Sequence, residues 1–325
     1  MYSLEEIDRI VDHRIAKLKL GDDPAELYDP IDYLIKIGGK RLRPKIAILC
    51  YNLFKDDFND SILMPAIGLE IFHGFTLIHD DIMDKAPIRR GHQTVHKKWN
   101  ENIAILSGDV MCIKSYDLIC EAPTESLPQL IKLFSKTAAE VCEGQQLDMN
   151  FESRDSVTMD EYLEMIGLKT AVLIACSASL GAIIAGKEDR VVGTIYDFSY
   201  QLGLAFQITD DYLDTFGTSS TFGKSIGGDI ENNKKTWLFI EALNRAKGAD
   251  YQELVTLYKG EVGENSAKVQ KVKEIFERLG VKEAAIDAIE GYHTRAIEIL
   301  KDIDLTDQQI NQLEGFAKTL LKRNK

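Results

Sequence analysis

The chain has no proline beyond Pro128, no CxxC pair, no excess of positive charge and no apolar run of about 18 residues. Each absence removes a class of protein. All seven prolines lie in the first part, so the remainder can carry long uninterrupted helices. The five cysteines, Cys50, Cys112, Cys120, Cys142 and Cys176, are odd in number and scattered. That suits reduced thiols packed as small core residues, not a disulfide framework or a zinc site. A net charge of −13 argues against nucleic acid, whose partners present a basic face. It leaves room for an anionic small molecule met by local cations. With no apolar run to span a bilayer, and with the charged MYSLEEIDRIVDHR in place of a signal peptide, a soluble cytoplasmic protein is expected.

What is present is helical. The chain has 325 residues, 45% of them hydrophobic and 28% charged, enough to bury a large core. No alternating strand pattern, composition break or linker appears, so residues 1–325 read as one all-α domain. Ser3 and Glu6 form a capping-box signature for a first helix through about Lys19. Short helices are expected after Pro24 and Pro44, then a long apolar one from roughly Ser61 to Asp84. Others follow near 107–120, 126–149, 158–185 and 188–214. Ala86–Thr94 and Thr215–Asn233 read as loops, and one as long as the second is usually functional. The last helix, Thr306–Leu321, precedes a basic tail, Lys322-Arg323-Asn324-Lys325.

Chemistry concentrates where the long apolar helices end. Asp80, Asp81 and Asp84 fall within an arc of about 100° at 3.6 residues per turn, and His73 lies two turns earlier on the same side. Like charges on one face repel, and hard divalent cations such as Mg²⁺ would relieve them. A solvated acidic helix end is the plain alternative for one such motif. The spacing recurs, however, at Asp210, Asp211 and Asp214, again closing an apolar helix ahead of a Gly- and Lys-containing loop. Two copies at buried-looking helix ends fit poorly with solvated faces. If the helices pack antiparallel around one cavity, six carboxylates could hold Mg²⁺ ions completed by a diphosphate. Cations sit where such a ligand needs them: Lys40, Arg41 and Arg43 after a glycine turn, Arg89-Arg90-Gly91, Lys224, Lys234, and Lys169 within a very apolar helix. An unpaired Lys169 there would be costly.

Taken together, GGKRLRP at 38–44, HGFTLIHDDIMD at 73–84, RRG at 89–91, EGQQLD at 143–148, LKT at 168–170, FQITDDYLD at 206–214 and FGK at 222–224 resemble the polyprenyl synthetase family, the trans-isoprenyl diphosphate synthases. The resemblance covers nearly the whole chain and is nearest the short-chain farnesyl and geranylgeranyl type. It implies an all-α bundle of the isoprenoid synthase type around a central cavity, and a homodimer, with the helices near 107–120 and 126–149 as interface material. It implies isopentenyl diphosphate and an allylic diphosphate as substrates, with about three Mg²⁺ ions, replaceable by Mn²⁺, as hard-cation cofactors.

By position, the resemblance makes Asp80, Asp81, Asp84 and Asp210 the ligands of Mg²⁺ on the allylic diphosphate, with Asp211 and Asp214 supporting them directly or through water. Arg89, Lys169, Lys224 and Lys234 would contact that diphosphate. Lys40, Arg43, His73 and Arg90 would hold isopentenyl diphosphate. Gln207 and Thr170 would face the developing carbocation, and Gln145 would support the metal site. His79 has no role in the pattern beyond packing. In such proteins the residues five and four before the first aspartate, here Phe75 and Thr76, floor the product pocket. A bulky Phe75 implies an all-trans C15 to C20 product; a Phe75 that is plain core would allow a longer one. A class I terpene cyclase would carry an NSE/DTE motif in place of DDYLD and lack GGKRLRP. A non-catalytic synthase subunit would lack one or both acidic motifs.

Overall fold

The computed structural model describes residues 2–217, 226–260 and 265–321. Among them the protein is helical, with one two-residue strand pair. The chain divides into two compact units: Met1–Ala138, Leu173–Asp197 and Leu300–Phe316 form the first, and Ala139–Val172, Phe198–Ile299 and Ala317–Lys325 the second.

In the first unit, helix α1 (Leu4–Ala16) opens on the Ser3–Glu6 capping box. Helices α2 (Ala25–Ile37) and α3 (Leu42–Asn52) follow, α2 with Pro24 as its N-cap. Helix α4 (Asp60–Met83) starts at Asn59, whose side chain accepts the Ser61 N–H, and carries Pro65 early in its length. It is apolar nearly all round, burying Ile62, Ile67, Leu69, Ile71, Phe72 and Ile78 against α3 and α6 (Glu101–Ile119). Each such side chain contributes about 1.5–3 kcal/mol on burial. This helix carries the first acidic motif out of the core.

The expected loop at 86–94 contains a minimal hairpin instead. Strands β1 (Ile88–Arg89) and β2 (His92–Gln93) pair antiparallel, with Ile88 opposite Gln93 and Arg89 opposite His92. The turn is Arg90-Gly91, both at positive φ (52° and 77°), the pairing that matches strand twist in two-residue hairpins. A two-residue strand is too short to leave a period-two pattern, so sequence reading misses it. Helix α5 (Val95–Lys98) leads from it to α6.

Helices α7 (Leu127–Glu152), α8 (Met159–Ile166), α9 (Val172–Ile184) and α10 (Asp189–Phe216) lie close to their expected places. Between α8 and α9 a π-helical turn, Gly167–Ala171, interrupts the α ladder. In the second unit, α11 (Gly228–Glu231), α12 (Trp237–Arg245), α13 (Ala249–Tyr258), α14 (Ser266–Arg278), α15 (Val281–Ile299) and the end of α16 (Asp307–Leu321) follow. The core of this unit gathers Tyr162, Trp237, Phe239, Leu254 and Phe276.

The expectation of no membrane-length apolar stretch needs correction. Asp60–Met83 and Met159–Ile184 are both long and apolar enough to cross a bilayer. Of their most apolar windows, 72% and 83% are buried inside the protein, so these are core helices. The basic tail at 322–325 lies outside the described residues.

Candidate active site

In the first unit, the glycine turn and the hairpin bring basic residues together. Gly38 takes φ +80°, a conformation only glycine adopts without strain, and Arg41 caps α3 in the left-handed region. A side chain on Gly39 would collide with the Arg90 guanidinium, so the hairpin tip lies directly over this turn. Arg41 donates to Glu70 Oε1 (3.1 Å) and to the Ile35 carbonyl (2.8 Å), a pair almost wholly buried. Burial pulls the Arg43 guanidinium down to about 10, with Glu70 opposing and Arg90 adding to the fall. Burial, and then Arg43, Arg90, Arg89 and Arg41, hold His73 well below its usual value, so its imidazole is neutral. A cavity here is lined by Arg41, Glu70, His73, Arg90 and, on its apolar side, Leu34 and Met111. Lys40 stands exposed at the same turn. Lys40, Arg43, His73 and Arg90, which the sequence groups, therefore belong to one basic corner.

The first acidic motif divides into three environments. Asp81 is 2% exposed, and its two oxygens accept from Arg89 Nε and Nη2, each at 2.8 Å. Asp80 is half-buried, 3.5 Å from Arg89 Nη2, and Asp84 is exposed as the C-cap of α4. Burial alone would lower the Arg89 pKa, but the Asp81 bridge and the Asp80 charge outweigh it and hold it above its usual value. The helical arc that appears to present three equal carboxylates thus presents Asp80 and Asp84, while Asp81 turns to the hairpin. Both Asp81 oxygens and two of the Arg89 donors are already engaged with each other.

Earlier on α4, Phe75 is half-buried and packs against Phe72 (5.4 Å between centroids) and His79 (4.7 Å). His79 Nε2 lies 3.1 Å from the Ile105 carbonyl. Thr76 Oγ1 donates to the His73 carbonyl (2.9 Å).

In the second unit, the π turn carries Lys169 and Thr170 on consecutive residues, a device often found at functional sites. Lys169 Nζ donates to Asp148 Oδ2 at 2.6 Å, which answers the cost of a lysine in so apolar a segment. Gly144 is bare because the backbone of Lys169 lies against it; a Cβ there would strike the Lys169 nitrogen. Gln145, in the same helix, is half-buried, and its buried Nε2 has no partner among the described residues. Thr170 Oγ1 donates to Gln207 Oε1 (3.0 Å), and Gln207 Nε2 donates to Asp211 Oδ1 (3.2 Å). Asp211 Oδ2 accepts from the Tyr162 hydroxyl (2.5 Å) and the Trp237 N–H (2.9 Å). Burial, then the Asp229 charge, lifts the Asp211 carboxyl to about 7 against these donors. Asp214 Oδ2 accepts the Asp229 N–H (3.0 Å), which ties α11 to the motif. Asp210 is half-buried on the last turns of α10. The half-buried Lys234 donates its backbone N–H to the Asp229 carbonyl (2.9 Å). Lys224 lies outside the described residues.

Sequence reading passes over Glu70, Asp148, Tyr162, Trp237 and Asp229. Glu70 and Asp148 carry a local signal, since each is an acid in an apolar or basic setting that needs a partner. Tyr162 and Trp237 carry none, because aromatic residues at helical spacing read as core.

The donor set suits a hard cation, since the groups at both motifs are carboxylates. Among the described residues no three His, Cys, Asp or Glu side chains are gathered tightly enough to enclose an ion. Mg²⁺ is ordinarily held by one or two carboxylates together with water and substrate phosphate, and the exposed and half-buried aspartates fit that role.

The polyprenyl synthetase family model matches residues 24–279. A short chain isoprenyl diphosphate synthase of Methanothermobacter thermautotrophicus is 38% identical over 307 residues, covering 93% of each chain. A geranylgeranyl diphosphate synthase of Methanosarcina mazei is 38% identical over 296 residues, covering 90% of this chain and 89% of that protein. A crystal structure of a geranylgeranyl pyrophosphate synthase superposes with a TM-score of 0.93 at 41% identity, covering 100% of both chains.

Proposed function

The chain belongs to the polyprenyl synthetase family and is a short-chain trans-prenyltransferase, and on that premise we propose that it joins isopentenyl diphosphate head-to-tail to an allylic diphosphate, giving an all-trans C15 to C20 product. The observation that carries the proposal is the basic corner. Arg41, Arg43 and Arg90 surround a neutral His73 with Glu70 as the carboxylate that answers Arg41. That excess of positive charge in a half-buried place is relieved by an anion with several oxygens, and guanidinium forks suit diphosphate. Isopentenyl diphosphate, which does not ionise in the reaction, is the substrate assigned to it, with Lys40 closing from the exposed side.

The allylic diphosphate is assigned to the aspartates. Family membership implies a divalent metal in general; Mg²⁺ is the ion proposed, carried by Asp80, Asp84 and Asp210. When bound, the metal supplies Lewis-acid stabilisation of charge on the departing diphosphate. Asp81, Asp211 and Asp214, whose oxygens already accept from protein donors, hold the motifs in shape. Arg89, Lys169 and Lys234, with Lys224, add positive charge around the leaving group, a form of electrostatic stabilisation. The C1–O bond of the allylic substrate breaks and the diphosphate keeps the electron pair. The isopentenyl double bond attacks C1, and a proton leaves to the departing diphosphate. Thr170 and Gln207 turn oxygens to the cation, so no protein nucleophile is required.

Phe75 is proposed as the pocket floor, five residues or about 7.5 Å along the helix ahead of Asp80. Its ring is held between Phe72 and His79, which makes it a firm stop. The enzyme is proposed to work as a homodimer. Support comes from α6, where Leu106 and Ile113, seven residues apart on one stripe, are 57% and 61% exposed. Incubating the pure protein with Mg²⁺, dimethylallyl diphosphate and isopentenyl diphosphate tests the proposal. Elongated prenyl diphosphates of C15 or C20 by mass are expected; a hydrocarbon product, or no product, overturns it.

A further inference from the structure

Tyr162 has no place in the chemistry above, yet its hydroxyl is buried at the second acidic motif. The residue sits on α8 and is 2% exposed. When Asp211 is ionised a neighbouring phenol can only donate, and Tyr162 donates to Asp211 Oδ2 at 2.5 Å. The Trp237 N–H, one of the donors left over at the start of α12, shares that oxygen at 2.9 Å. With Oδ2 held from two sides, the carboxylate cannot rotate, and Oδ1 is left to face Gln207.

That fixed oxygen decides how the Gln207 amide lies. Its Nε2 donates to Asp211 Oδ1, one helical turn away at 3.2 Å, so Oε1 must point the other way. There it accepts the Thr170 hydroxyl proton at 3.0 Å. A threonine whose proton is committed in this way presents only lone pairs on its remaining side. The order of donors and acceptors from Tyr162 to Thr170 therefore runs in a single direction and leaves the oxygen of the buried Thr170 as an acceptor.

We propose that Tyr162 is a positioning residue for the condensation, acting through Asp211 to orient the Gln207 amide and the Thr170 hydroxyl. The inference rests on the assignment of Gln207 and Thr170 to the carbocation. Substituting Tyr162→Phe keeps the ring in its core and removes only the hydroxyl. The expected result is a kcat lowered about tenfold, with KM for both diphosphates within about twofold of the parent, since the group acts on the transition state alone. Unchanged kcat, or a raised KM with kcat intact, overturns the proposal.

A double-variant cycle separates positioning from simple packing. Gln207→Leu alone should lower kcat, and adding Tyr162→Phe to it should lower kcat no further, because both act through one chain of contacts. If the two losses multiply, Tyr162 works by another route and the proposal falls. If Gln207→Leu alone leaves kcat unchanged, the carbocation assignment fails first, and the inference falls with it. Should Tyr162→Phe lose its helical circular dichroism, Asp211→Asn gives the same test at constant size. Its Nδ2 would face Gln207 and turn the amide over, so a lowered kcat at parental KM is expected. A parental kcat in Asp211→Asn overturns the proposal.

Discussion

The two acidic motifs share one spelling and differ in how the chain treats the middle aspartate. In the first, Asp81 meets the fixed positive charge of Arg89 through two hydrogen bonds of 2.8 Å. In the second, Asp211 meets three neutral donors, the Tyr162 hydroxyl, the Trp237 N–H and the Gln207 amide. The consequences diverge. Burial raises the pKa of both, but Arg89 opposes the rise at Asp81, whereas the Asp229 charge adds to it at Asp211, which reaches about 7. A motif therefore fixes where carboxylates stand along a helix, and the elements packed on it decide what charge they carry.

Removing the outer aspartates tests what the motifs have in common. Asp80→Ala and Asp210→Ala should each cut turnover by about a thousandfold or more, given the size of electrostatic stabilisation at a leaving group. Helical circular dichroism should be unchanged. Near-parental activity of either variant at saturating Mg²⁺ would break the symmetry between the motifs and remove that aspartate from the metal site.

Stability sharpens the difference. Arg89→Met strands a buried carboxylate and should cost about 3–5 kcal/mol. Tyr162→Phe removes one neutral donor of three and should cost about 1–2 kcal/mol. Denaturant unfolding measures both. Equal losses would mean that the ionic and the neutral setting do not differ in kind.

The helices leading to the motifs differ too. Five residues before the first aspartate stands Phe75, half-buried among aromatics; five before Asp210 stands Ala205, fully buried. Phe75→Ala should keep turnover within a few-fold and lengthen the product by at least one isoprene unit, roughly one helical turn of reach. Unchanged chain length by chromatography of the dephosphorylated products would remove Phe75 from that role.

The smallest effect is one of proton linkage on the first side. His73 is kept neutral in the fold, while the unfolded chain takes up a proton below its ordinary value of 6.5. The unfolded state then binds more protons, so stability falls as pH drops through that value. His73→Gln should flatten this part of the melting profile. Inorganic diphosphate should restore protonation of His73, visible in the imidazole resonances; a His73 that titrates normally without it would show that the arginines do not crowd it.

Much of this was legible in the sequence because it is local. Ser3 and Glu6 lie within one turn of each other, and the apolar runs that became α4, α9 and α10 show themselves by periodicity and length. The hairpin that aims Arg89 and Arg90 was not legible, since two residues cannot establish an alternation. The π turn at Lys169 was equally hidden, because one added residue leaves no mark on composition.

By itself, the amino-acid sequence determined an all-helical protein, the family it belongs to, and the positions of two aspartate motifs and the cations near them. These depend on residue type and on spacings of three, four and seven residues, which a helix converts directly into faces. Tertiary structure decided which aspartate is paired and with what. Lys169 finds Asp148, 21 residues back; Asp211 finds Tyr162, 49 residues away, and Trp237, 26 residues on. Such partners are chosen by packing across elements, where burial makes an unmet charge or hydrogen bond expensive, and no local pattern records the choice.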